Sequence, residues 1–167
     1  EDYKERINRR LPAKRHTGIH IRTIYEDVIM PLLLKTMPRR DAMARVADIL
    51  AWELGLMRNG TTLRKVFLSV SKDVQRERLQ ARVDDPNKHW KFDPNDLHTR
   101  ELWDQIQAIY GVVLARSSTV QAPWTVIGAD DKATRNLSYA RGTRKALERM
   151  DPRFPENPEL YKVRIPK

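Results

Sequence analysis

Two short apolar runs constrain the fold more than any other feature of this sequence. KVFLSV (Lys65–Val70) and WTVIGA (Trp124–Ala129) have the length and the β-branched content of buried strands. Long stretches with helical periodicity precede, separate and follow them. Short strands alternating with long helices imply an α/β domain whose parallel sheet is covered on both faces. A further strand is expected at Thr17–Arg22 (TGIHIR), where apolar β-branched residues alternate after a basic turn.

The intervening helices can be read from spacing and punctuation. Glu1–Arg10 is polar and helix-compatible, closed by Leu11-Pro12. Tyr25–Leu34 carries an apolar face that Pro31 should bend or interrupt. Arg39–Arg58 sets Met43, Val46, Ile49, Leu50 and Leu54 at helical intervals, and Asn59-Gly60 stops it. Ser71-Lys72-Asp73 opens the next helix as a cap, and that helix runs to Asp85-Pro86. A charged loop is expected over Asn87–Asp96, then one long amphipathic helix over Leu97–Arg116. Ala133–Met150 forms the last helix, and the proline-containing tail from Pro152 is expected to be irregular.

The 167 residues suffice for one domain, with no repeat or low-complexity linker to divide them. A net charge of +10 draws polyanions: nucleic acid, anionic membranes or phosphate polymers. An aromatic content of 7% disfavours a base-stacking surface for single-stranded nucleic acid. The longest apolar stretch, Val28–Leu34, falls far short of the roughly 20 residues of a membrane span. With no cysteine there is neither a disulfide framework nor a thiolate metal site, which suits the cytoplasm.

The densest chemistry lies in RERLQARVDDPNKHWK (Arg76–Lys91). Arg78 and Arg82, four apart, share one helical face, and Lys88 and Lys91 follow in a loop restricted by Pro86. Together they offer planar forks and compact charges to an extended phosphate chain. The plainer alternative is a solvated face whose arginines pair with Asp84 and Asp85. Trp90 and Trp124 are read as packing residues, and His20 and His89 receive no catalytic role.

The order of residues sharpens this. SKDVQRERLQARVDDPNKHWKF closely resembles the lid region of the polyphosphate kinase 2 family. NGTTLRKVFLSVSK before it, APWTVIGADDK after it and RINRRLPAKRHTGIHIRTIYEDV upstream resemble further blocks, so the likeness runs from Asp2 to about Pro155. The resemblance implies a P-loop kinase-like parallel sheet with flanking helices and a mobile helical lid over about residues 73–100. It also implies Mg2+-dependent transfer of phosphoryl groups between inorganic polyphosphate and a nucleotide (ADP, GDP or AMP), and a homo-oligomer when complete.

By motif position, Arg22 matches a catalytic arginine after the Walker B-like site. Arg78, Arg82, Lys88 and Lys91 fall in the basic lid, and Asp130, Asp131 and Lys132 match an acidic-acidic-lysine turn. Tyr25 and Glu26 match a Tyr-Glu pair, although Glu26 also suits a helix start, and Asp130 and Asp131 also suit a cap. No metal ligand is assigned. The Tyr-Glu-Asp-Val version of the motif points to nucleoside mono- or diphosphate acceptors.

Departures accompany the likeness. Ile21 stands where the family shows Asp or Asn, His20 and Ile24 also differ, and Ala133 replaces a Trp. No G-x-D-x-x-G-K-like phosphate loop occurs in these residues. In the family fold that loop's strand lies between those matched by Gly18–Arg22 and Lys65–Val70. The expectation is therefore a single incomplete domain over 1–167, a fragment inactive and poorly folded alone. The alternative is a degenerate polyanion-binding module.

Overall fold

The computed structural model describes residues 3–166 and is α/β, mostly helical around a small parallel sheet. The first helix, α1 (Tyr3–Asn8), agrees with the helical reading of the N-terminus; Glu1 and Asp2 lie outside the described residues, as does Lys167. Helix α2 (Glu26–Leu33) begins with two acidic residues at its positive end and keeps Pro31 inside. Proline has no N–H to give Asp27 O, the acceptor one turn back. Arg45 Nη1 donates to that carbonyl instead, at 2.9 Å, so the helix continues through the proline.

Helix α3 (Arg39–Arg58) buries Ala42, Val46, Ile49 and Glu53 along one stripe. It ends as its sequence dictates, with Gly60 at φ +86, a left-handed conformation that glycine adopts without steric cost. Strands β1 (Lys65–Ser69) and β2 (Trp124–Gly128) pair in parallel, Lys65 opposite Trp124 and Ser69 opposite Gly128. Between them run α4 (Lys72–Val83), a 3-10 turn at Pro86–Lys91, α5 (Asn95–Glu101) and α6 (Trp103–Ser117). Helix α7 (Lys132–Met150) follows β2 and stops at Asp151, whose φ of +44 turns the chain away. The core gathers Ile24, Tyr25, Val28, Ile29, Ala42, Val46, Ile49 and Val113.

Several expectations change. The described residues form a two-stranded sheet, and Thr17–Arg22 is irregular, with Ile19 and Ile21 facing solvent. Alternating β-branched residues favour extension, but a strand also needs a partner for its N–H and C=O groups. No described strand lies beside this segment. Strand β1 is also less buried than its run of apolar residues implies, with Leu68 45% exposed.

The charged loop over Asn87–Asp96 is partly ordered. Asp85 accepts from Asn87 N–H at the start of its 3-10 turn, and Asp93 accepts from Asn95 N–H at the start of α5. The single helix expected over Leu97–Arg116 is two. Leu102 departs from helical geometry, yet it still donates to His98 O and accepts from Ile106 N–H. The ladder therefore crosses a local kink. Beyond α7 the tail is irregular except for a 3-10 turn at Pro158–Lys162.

Candidate active site

In open parallel sheets ligands bind outside the carboxyl ends of the strands. Here those ends are Ser69 and Gly128, and the hydrogen bond from Ala129 N–H to Ser69 O (2.7 Å) extends the pairing one step beyond them. Asp130 Oδ1 then accepts from Ser71 N–H at 2.7 Å, joining the two strand exits. Arg78 reaches back from α4 and donates through Nη2 to Ala129 O and Asp130 O, both at 2.7 Å. Its Nη1 and Nε groups take no partner among the described residues.

Two helices start beside this junction. Ser71 Oγ accepts from Val74 N–H at the start of α4, and Asp131 Oδ1 accepts from Thr134 N–H at the start of α7. That bond from Thr134 holds the Asp131 carboxyl below the usual carboxylate range. The capping reading is realised at Asp131 alone; Asp130 instead joins the two strand exits through Ser71 N–H. Lys132, the first residue of α7, is exposed at the same turn. Two helix N-termini, Arg78 and Lys132 make this a place suited to anionic oxygens.

Arg82, Lys88 and Lys91 meet partners within α4, the 3-10 turn and α5. Arg82 Nη1 donates to Asp96 Oδ2 at 3.0 Å and to Lys91 O at 3.3 Å. Lys88 pairs with Asp85 at 2.7 Å, which draws the Asp85 carboxyl below its ordinary range. Lys91 Nζ lies 4.8 Å from the centre of the Trp90 ring. Of the pairings considered from sequence, Asp85 takes a lysine rather than an arginine, and Asp84 accepts from Gln80. Trp90 is 79% exposed and so is not a packing residue, whereas Trp124 packs edge-on against Tyr25 at 5.5 Å.

Arg100, not singled out from sequence, ties α5 to α4 by donating to Lys72 O (2.5 Å) and Gln75 Oε1 (3.0 Å). Leu79, Val83, Phe92 and Leu97 line an open apolar cleft of about 480 Å3 between α4, the 3-10 turn and α5.

Arg22 lies in the irregular segment before α2. Its φ of +69 is left-handed and its side chain is exposed. Tyr25 is buried rather than placed toward solvent, and its hydroxyl donates to Glu53 Oε1 at 3.0 Å. Glu26, at the first position of α2, is half-buried.

Sequence reasoning missed the polar cluster beneath Tyr25. Lys65 Nζ donates to Glu53 Oε2 at 2.7 Å and to Ser117 O at 2.6 Å, with both charged side chains about 5% exposed. Burial pushes the Glu53 carboxyl up, opposed by Lys65 and the Tyr25 hydroxyl. Burial also pushes the Tyr25 hydroxyl far above its ordinary value. A signal was present: Glu53 continues the Val46–Ile49 stripe of α3, and Lys65 opens an apolar strand. A charge on an apolar stripe calls for a buried partner.

No group of three His, Asp or Glu among the described residues could hold a metal ion. Asp130 and Asp131 already serve backbone amides, and Ile21 offers no side-chain oxygen. These residues do not constitute a cation site by themselves.

Comparison with known proteins agrees with this architecture. The sequence model described as Polyphosphate kinase 2 (PPK2) matches residues 1–155. An AMP/ADP-polyphosphate phosphotransferase of Meiothermus ruber is 37% identical over 98% of this chain and 61% of its own length. An ADP-polyphosphate phosphotransferase of Rhodopseudomonas palustris is 32% identical over 93% of this chain and 58% of its own. The crystal structure of polyphosphate kinase 2 from Arthrobacter aurescens superposes with a TM-score of 0.91 at 35% identity, covering 95% of this chain and 56% of that one. The chain thus spans little more than half the length of these relatives. Over that span, it belongs to the polyphosphate kinase 2 family.

Proposed function

We propose that the protein carrying this chain transfers phosphoryl groups between inorganic polyphosphate and a nucleoside mono- or diphosphate. The observation that carries this reading is the junction at the strand ends, where Arg78, Lys132 and two helix N-termini face the ligand-binding side of a parallel sheet. Phosphoryl transfer asks little of a protein beyond positioning and cationic stabilisation of the equatorial oxygens. Arg22, from the irregular segment, is read as a contact to the transferring group. Arg82, Lys88 and Lys91 are read as contacts to the polymer, Arg82 and Lys88 exchanging their acidic partners, and Lys91 the Trp90 ring, for phosphate as the lid closes. Closure would also exclude water as a competing acceptor.

A P-loop kinase-like sheet, cytoplasmic location and a homo-oligomeric state belong to the same proposal. The family match supports the first, and the absence of cysteine fits the second. Among the described residues no helix is long and apolar enough to cross a membrane. Exposed Leu137, Leu147 and Met150 along α7 support the third. Magnesium is expected to travel with the substrate phosphates, and no step here is routed through it.

The test incubates the intact protein with polyphosphate, magnesium and AMP, ADP or GDP, in both directions. Phosphorylated nucleotide, or polymer formed from nucleoside triphosphate, is the expected result. Arg22→Ala should then lower turnover about a hundredfold, as the loss of one transition-state contact does. Arg82→Ala and Lys88→Ala should instead weaken polyphosphate binding and reduce its salt dependence. Absence of transfer with every nucleotide would sink the reading. A second reading, polyanion binding without catalysis, is favoured by Ile21 in place of an acid or amide. Salt-sensitive retention of polyphosphate without transfer would select it.

A further inference from the structure

Arg22 occupies the left-handed region at φ +69, which a residue bearing Cβ disfavours. Such a residue persists only where its surroundings over-determine the backbone. The segment before it is irregular and exposed, so the constraint comes from the residues that follow. Ile24 and Tyr25 are 5% and 2% exposed. The amides of Glu26 and Asp27 donate to Thr23 O and Ile24 O, and those of Val28 and Ile29 both donate to Tyr25 O. These bonds close the turn that leads from Arg22 into α2.

Tyr25 is the point where that turn is fastened to the rest of the molecule. Its hydroxyl ends on Glu53 of α3, and Glu53 ends on Lys65 of β1. Lys65 ends on the last carbonyl of α6, and Ser117 Oγ accepts from Trp124 Nε1 of β2 at 2.8 Å. Four elements are thereby referenced to one residue, three positions after Arg22. A buried ion pair is rarely needed for stability, since apolar groups of the same volume serve as well or better. What a pair offers in addition is one defined geometry.

We propose that Glu53 and Lys65 are positioning residues that act through the Tyr25 hydroxyl to fix the turn presenting Arg22. The proposal rests on the reading of Arg22 as a phosphoryl contact, and its test separates the two.

Tyr25→Phe in the intact protein keeps the ring against Trp124 and removes only the hydroxyl. Hydrogen exchange of the amides of residues 26–29 should quicken while exchange in α3 stays unchanged. At saturating substrates turnover should fall about tenfold with KM values held within about twofold, the mark of misplaced rather than lost contacts. A double variant, Glu53→Leu with Lys65→Met, removes both charges together and should reproduce both effects. Exchange at residues 26–29 equal to that of the unaltered protein overturns the proposal. So does quickened exchange with unaltered turnover. A parent protein without transferase activity would instead sink the functional reading, leaving exchange to decide whether the cluster holds this turn.

Discussion

Around Tyr25, polar atoms are buried and each finds its partner inside the protein. Around Arg82, the same kinds of atoms lie near the surface and bond mostly within the lid. Glu53 and Lys65 are about 5% exposed, whereas Arg82 and Asp96 are each more than a third exposed. Water screens the second pair and scarcely reaches the first. One region is fixed because every alternative arrangement strands a charge. The other is held by pairs that cost little to part. Stability is thus concentrated beneath Tyr25 and sparse between α4 and α5.

The sharpest way to break this contrast is Lys65→Ala. It leaves Glu53 buried without its cation, and unfolding by denaturant should register a loss of about 3–5 kcal/mol. A loss near that of a surface pair would show that water reaches the site. Next in size, Ile49→Ala should cost about 2–4 kcal/mol by opening a void in the core. Val83→Ala in the lid should cost only about 0.5 kcal/mol on the same measurement. Comparable losses at the two positions would mean that the lid is as tightly packed as the core. Asp96→Ala should cost less than about 1 kcal/mol, and less still in high salt, because its partner Arg82 is solvated.

The smallest effect concerns acid. The folded state lowers the pKa of Asp131, so its contribution is present above the unfolded value of about 3.9. That contribution disappears as pH falls through the lower folded value. Asp131→Asn should therefore flatten the acid limb of the stability curve while leaving neutral stability nearly unchanged, since asparagine also caps. An unaltered acid limb would show that the Thr134 bond does not persist in solution.

Local punctuation made the helices legible. Asn59-Gly60, Ser71 and Asp131 each act within a few residues of their place in the chain, and each behaves as its chemistry requires. The two strands were legible for the same reason, as short apolar runs. Thr17–Arg22 was misread because its alternation says nothing about whether a neighbouring strand exists to pair with it. Trp90 was misread because a large ring can serve a surface cation as well as a core. At the strand ends, the Asp131 cap was legible from sequence, whereas the bonds of Arg78 to Ala129 O and Asp130 O were not, since they span some fifty residues. Nor was the Tyr25–Glu53–Lys65 cluster, since its members come from three elements and meet only after folding.

The parallel pairing of β1 and β2 has one more consequence. The basic segment is not an appendage: all of Val70–Pro123, Arg76–Lys91 included, is the crossover that joins the two strands. Closing a long connection costs chain entropy that grows only with the logarithm of length, about 0.6 kcal/mol for each doubling. Residues added to or removed from the exposed stretch around Pro86–Asp93 would barely alter the free energy of pairing the strands. They would, however, change how far the basic segment projects from the sheet. Reach and sheet stability can therefore diverge independently in evolution, because the length of the crossover and the pairing of the strands at its ends draw on separate contacts.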